Sequence, residues 1–119
     1  MLLKIFLGCC STLYVNNLNQ PTSSGNYTAA PEDTYNNRPV FRKDEIYAVW
    51  FDNGKWIIGL VSDLEKGTFS AGYVMSNENT SLPKLFCQSP TTVGTWREWI
   101  DDKWLNNNDA VVQCVGECK

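Results

Sequence analysis

The tightest constraint on this chain is a dipeptide. Asn53-Gly54 separates two aromatic-rich runs in "YAVWFDNGKWIIG", residues 47–59. Asn-Gly is the preferred two-residue type I′ loop, because both positions must take positive φ. With that loop, Asp52 faces Lys55, Phe51 faces Trp56 and Trp50 faces Ile57. Val49 then faces Ile58, Ala48 faces Gly59 and Tyr47 faces Leu60. One side of the hairpin carries Tyr47, Val49, Phe51, Trp56, Ile58 and Leu60, and is the expected core face. The other side carries Ala48, Trp50, Asp52, Lys55, Ile57 and Gly59. It is mixed, with Trp50 as its candidate for outside contact.

The rest of the chain keeps the same rhythm. Short β-branched and aromatic runs at 26–28, 40–42, 45–52, 55–61, 68–74, 85–87 and 110–115 alternate with Gly, Asn, Asp and Pro. That spacing predicts an all-β fold, a small antiparallel sheet or sandwich. Residues 95–105, "TWREWIDDKWL", read two ways. Trp96, Trp99, Ile100 and Trp104 fall at helical spacing, and Thr95 with Glu98 forms a capping-box pattern. Alternatively, strands at 96–100 and 103–105 flank a turn at Asp101-Asp102. Local propensity leans towards the short helix.

A chain of 119 residues is one domain. A domain of this size often needs covalent help, because little surface is buried per residue. The five cysteines are Cys9, Cys10, Cys87, Cys114 and Cys118, none in C-x-x-C spacing. Histidine is absent, so the commonest general base and neutral metal ligand are missing. Disulfides are therefore expected rather than a metal or other cofactor, and the odd count leaves one thiol free or bonded to another chain. The sequons at Asn26 and Asn79 suit a secreted glycoprotein. Net charge is −3 with no basic run, which argues against nucleic acid as a partner.

Residues 1–15 form an apolar arm. Lys4 and the short apolar run resemble a secretory signal, but the run is too short to span a membrane. Leu13, Tyr14 and Val15 make a poor cleavage region, and the Gly8-Cys9 neighbourhood only faintly resembles a lipobox. A retained apolar stretch has to be buried, either in the chain's own fold or in a neighbour. Leu3, Ile5, Leu7, Leu13 and Val15 are read as a strand donated to another subunit. Residues 16–25 read as a polar linker, and 26–119 as the single β domain.

Several stretches together resemble a small secreted Trp/Cys β-module, found often in tandem in extracellular and surface proteins. They are "GNYT", "YNNRPVF", "YAVWFDNGKWIIG", "FCQSP", the spaced tryptophans and "DAVVQC", covering roughly residues 25–114. The resemblance implies strands rather than a helix at 95–105. It implies a Cys87–Cys114 disulfide, with Cys118 then left to Cys9 or Cys10. Asn37 stands where the module usually has Gly, and Asp101-Asp102 where it has Asp-Gly.

Catalysis finds little footing. There is no Gly-x-Ser-x-Gly, no Cys–His pair and no phosphate-cradling glycine loop. The adjacent pairs Glu32-Asp33 and Asp101-Asp102 read as turn residues, and Asn106–Asp109 lacks a calcium-loop pattern. The expectation is a non-enzymatic extracellular or cell-surface structural module. It would assemble with copies of itself into a polymer or filament through the arm and disulfides. The alternative is a carbohydrate-binding module in which Trp50, Trp96, Trp99 and Trp104 contact glycans or a subunit.

Overall fold

The computed structural model describes residues 10–68, 74–76 and 95–117. Nine strands run through them. These are β1 (Cys10–Asn16), β2 (Gly25–Tyr35), β3 (Arg38–Lys43), β4 (Tyr47–Asp52) and β5 (Lys55–Leu60). After the α-helix α1 (Val61–Lys66) come β6 (Val74–Ser76), β7 (Trp96–Ile100), β8 (Lys103–Asn107) and β9 (Val111–Glu117). The fold is all-β, as the sequence predicts, and its sheet is curled into a half-barrel. The strand order is β8-β7-β6-β5-β4-β3-β2-β1-β9, antiparallel between all neighbours.

Three connections are two-residue turns in which both residues have positive φ: Asn36-Asn37 (53° and 61°), Asn53-Gly54 (53° and 82°) and Asp101-Asp102 (52° and 63°). Asn and Asp tolerate this region because their short side chains bond the local backbone. The β4–β5 register matches the Asn-Gly prediction at every pair from Asp52↔Lys55 to Tyr47↔Leu60. The β7–β8 pairing runs from Ile100↔Lys103 to Trp96↔Asn107. Strands therefore replace the helix that local spacing allows at 95–105. The tryptophans gain a buried face from pairing with β6, which an isolated helix would lack.

Curling gives the sheet an inside and an outside. Inside lie Leu13, Val15, Tyr27, Phe41, Val49, Trp56 and Trp96, each no more than 2% exposed. Burial of each large apolar side chain contributes roughly 1.5–3 kcal/mol. Phe51 and Trp56 meet edge to face, ring centroids 5.3 Å apart.

The outer face of β4–β5 departs from the sequence expectation. Val40, Ala48, Trp50 and Ile57 are buried there beneath Leu64 of α1, with Val61 packed alongside. A strand continuing through Val61 was expected; instead the chain turns at Leu60. The Val61 N–H bonds the Ile46 carbonyl at 2.8 Å. Asp63 in the first turn and Lys66 in the last suit the helix dipole, and Gly67 (φ 69°) ends the helix in the left-handed region. Of the expected strand at 68–74, Val74 opens β6, and residues 69–73 lie outside the described residues, as does 85–87.

The expected arm and linker also change. β1 pairs with β2 on one side and β9 on the other, and Leu13 and Val15 are fully buried in the chain's own core. Residues 10–15 are thus an internal strand, because alternating apolar side chains there fill the inner face. Leu3, Ile5 and Leu7 lie outside the described residues. The linker is packed as well: Leu18 and Ser23 are buried, and the Tyr27 hydroxyl donates to the Ser23 carbonyl.

The last two strands close the curl. β8 and β9 run in the same direction, joined only by residues 108–110, yet lie at opposite ends of the strand order. They act as one bent strand whose first half pairs with β7 and whose second half pairs with β1. Bends of this kind make the corners of closed sheets.

Candidate functional site

The β7–β8 hairpin stands at one end of the strand order, so β8 has a paired strand on one side only. Its side chains alternate. Trp96 and Glu98 point inward and are each 2% exposed. Arg97 and Trp99 point outward, and pairing sets Asn106 opposite Arg97 and Trp104 opposite Trp99. No helix covers this part of the outer face among the described residues.

Trp99 and Trp104 are half-buried and meet edge to face, with centroids 5.3 Å apart and planes at 70°. The Arg97 guanidinium lies over the Trp104 ring, 4.9 Å from its centroid. Its Nη2 is 3.7 Å from the Met75 sulfur, and its buried Nε has no hydrogen-bond partner. The sequence expectation gathered four tryptophans as contact residues. The structure brings Trp99 and Trp104 together on the surface and places Trp50 and Trp96 in the core. Trp50 is covered by α1, and Trp96 sits inside the curl.

Glu98 organises the other side of the hairpin. Its carboxylate accepts the Asn19 backbone N–H at 3.0 Å, the Asn19 side-chain amide at 2.9 Å and the Asn107 side-chain amide at 2.7 Å. The Asn107 amide also donates to the Asn17 carbonyl at 2.9 Å. A buried carboxylate is costly unless its lone pairs are met, and here neutral amides meet them. The network ties β7 and β8 to the segment after β1. Above it lies an open polar groove of about 810 Å3, lined by Asn17, Leu18, Asn19, Asn106, Asn107, Asn108 and Asp109.

Glu98, Asn19, Asn107 and Arg97 were not among the sequence-predicted site residues. Counting by twos from Trp96 reaches Glu98 on the inner face, which is the signal that could have found it. Of the adjacent carboxylates read as turn residues, Glu32-Asp33 lies within β2 instead. Asp101-Asp102 forms the hairpin turn, and Asp33 pairs with Arg42 at 2.7 Å. Among the described residues, no group of three or more His, Cys, Asp or Glu side chains is placed to hold a metal ion, and no helix is long and apolar enough to cross a membrane.

Asn26 is exposed on β2, where a glycan has room. Cys114 is half-buried on β9 opposite Leu13, and Cys10 opens β1. Cys9, Cys87, Cys118 and Asn79 lie outside the described residues. Compared with known proteins, the chain matches no family model, no curated protein and no solved structure.

Proposed function

We propose that the chain is a non-enzymatic extracellular recognition module that binds carbohydrate through the outer face of its last hairpin. One observation carries this reading: Trp99 and Trp104 form a half-exposed aromatic pair on the outer face, and Asn106, two residues along β8 from Trp104, leads to a groove lined by amides. Indole faces stack on the apolar faces of sugar rings. Asparagine side chains offer both donors and acceptors to hydroxyl groups. Asn106 belongs to both features, sharing the strand with Trp104 and lining the groove. The missing histidine and nucleophile motifs support binding without catalysis.

The test is titration of the full chain against a panel of oligosaccharides, read by tryptophan fluorescence and calorimetry. Binding should be lost in Trp104→Ala and in Trp99→Ala, each checked for native circular dichroism. A panel that moves neither signal would sink the reading.

Assembly with copies of the chain is the second reading. Leu105 (39% exposed) and Val115 (56% exposed) lie on β8 and β9, the two end strands. Exposed strand edges are templates for pairing with another chain. β1 is already paired on both sides, so assembly would use β8 or β9 rather than donate residues 10–16. Light scattering together with reducing and non-reducing gels tests this. A monomer under all conditions removes it.

A further inference from the structure

We propose that the saccharide taken at this face is anionic, carrying a carboxylate or sulfate, and that Arg97 is the group that reads the charge. This rests on the carbohydrate reading above and names its ligand class.

Arg97 is poorly supplied for a half-buried cation. A guanidinium has five N–H donors in a planar fork. Around Arg97 the structure offers a ring face and a thioether sulfur, both weak acceptors; Nε is buried without a partner, so the outward end of the fork, Nη1 and Nη2, is what a ligand would meet. Among the described residues no carboxylate lies within ion-pair distance of it. Arg42 shows the contrast. Asp33 meets it with two oxygens, at 2.7 and 3.1 Å. Arg97 is held in place by stacking yet has no acid beside it among the described residues, which is the arrangement that suits an oxyanion from outside.

Spacing supports the same ligand. Arg97 and Trp99 are two residues apart on β7, about 6.6 Å along a strand. A single sugar ring stacked at the Trp99–Trp104 pair would carry a ring substituent to the guanidinium. Asp101 and Asp102 lie at the tip of the hairpin, beyond the tryptophans. Their charge repels an anion at that end and favours placing the acidic group towards Arg97 and Asn106. Single-stranded nucleic acid also pairs aromatic stacking with charge, but it needs a run of cations along its backbone. The chain has net charge −3 and one arginine at this face.

The experiment uses the full chain and four probes at equal concentration: a polyuronate hexasaccharide, a heparin-derived hexasaccharide, chitohexaose and oligothymidylate. At least one anionic sugar should bind about tenfold tighter than chitohexaose, the gain of one charge-assisted contact. Binding of the polyuronate assigns carboxylate; binding of the heparin fragment, which carries both groups, without the polyuronate assigns sulfate. Arg97→Gln should erase the preference while retaining weak chitohexaose binding. Asp101→Asn with Asp102→Asn, residues that keep the turn, should strengthen anionic binding by about twofold. If Arg97→Gln fails to fold, the wild-type preference and the aspartate pair still decide. Equal binding of neutral and anionic sugars overturns this proposal and leaves the carbohydrate reading standing. Binding to none of the sugars, or tightest binding to oligothymidylate, overturns both.

Discussion

The β4–β5 and β7–β8 hairpins start from similar material and reach different ends. Each has a two-residue turn with positive φ, and each carries tryptophans on both faces. In β4–β5 both faces are buried: Phe51 and Trp56 lie inside, and Trp50 lies outside under α1. In β7–β8 only the inner face is sealed, by Trp96 and Glu98, and the outer pair Trp99–Trp104 remains half-exposed. The difference comes from place in the sheet. A central hairpin has neighbours on both sides and a helix above it, whereas an end hairpin has one paired flank. Aromatic content therefore says little about function until the cover over each face is known.

The largest expected effect separates the two hairpins directly. Trp56→Ala empties a fully buried site between Phe41 and Phe51 and should cost about 3–5 kcal/mol in urea unfolding. Trp104→Ala removes a half-exposed ring and should cost about 1–2 kcal/mol. Equal losses would erase the contrast.

Next comes the closure of the end hairpin. Glu98→Gln replaces one acceptor oxygen with a donor aimed at the amides of Asn19 and Asn107. A loss of about 1–3 kcal/mol is expected, with faster hydrogen exchange at the Asn19 amide. Unchanged exchange there would mean that Glu98 does not hold the end hairpin to the segment after β1.

The interior beneath β4–β5 should also respond to alkali. Burial, with the nearby Tyr47 and Asp44, raises the Tyr27 phenol above its ordinary pKa of 10.0. The fold holds the neutral phenol. Stability from this group is therefore complete below pH 10 and falls as pH rises beyond it. Tyr27→Phe should cost about 1 kcal/mol at neutral pH through the lost bond to Ser23 and flatten part of the alkaline decline. An identical alkaline profile in the variant would assign the decline elsewhere.

The smallest effects test the turns. Gly54→Ala at φ 82° should destabilise by about 1 kcal/mol. Asp102→Gly at φ 63° should stabilise by about 0.5 kcal/mol, giving the end hairpin the glycine that the central one already has. Thermal melts resolve both.

These regions also differ in how far they could be read from residues alone. Asn53-Gly54 specified the β4–β5 register pair by pair, because turn chemistry and alternation agree. The strands at 96–100 and 103–105 agree with the module resemblance, against local propensity. Alternation then misled where it assumed one covered face. Val61 extends an apolar run, so only Gly67 and the flanking charges hinted at α1. Glu98 was missed because its partners are non-local: Asn107, nine positions away, comes near through the β7–β8 pairing, and Asn19, 79 positions away, only when the sheet curls.

The bent strand formed by β8 and β9 has a consequence for the order of events during synthesis. β1 leaves the ribosome first among the described strands, but one of its two neighbours, β9, emerges roughly 100 residues later. Until then β1 presents an open flank of Leu13 and Val15 beside β2. The nascent chain must carry an unsatisfied apolar edge while the strands between β1 and β9 are made, the interval in which chaperones and chance encounters act on exposed strands. The molecule is sealed by its last described strand, and its first one waits for it.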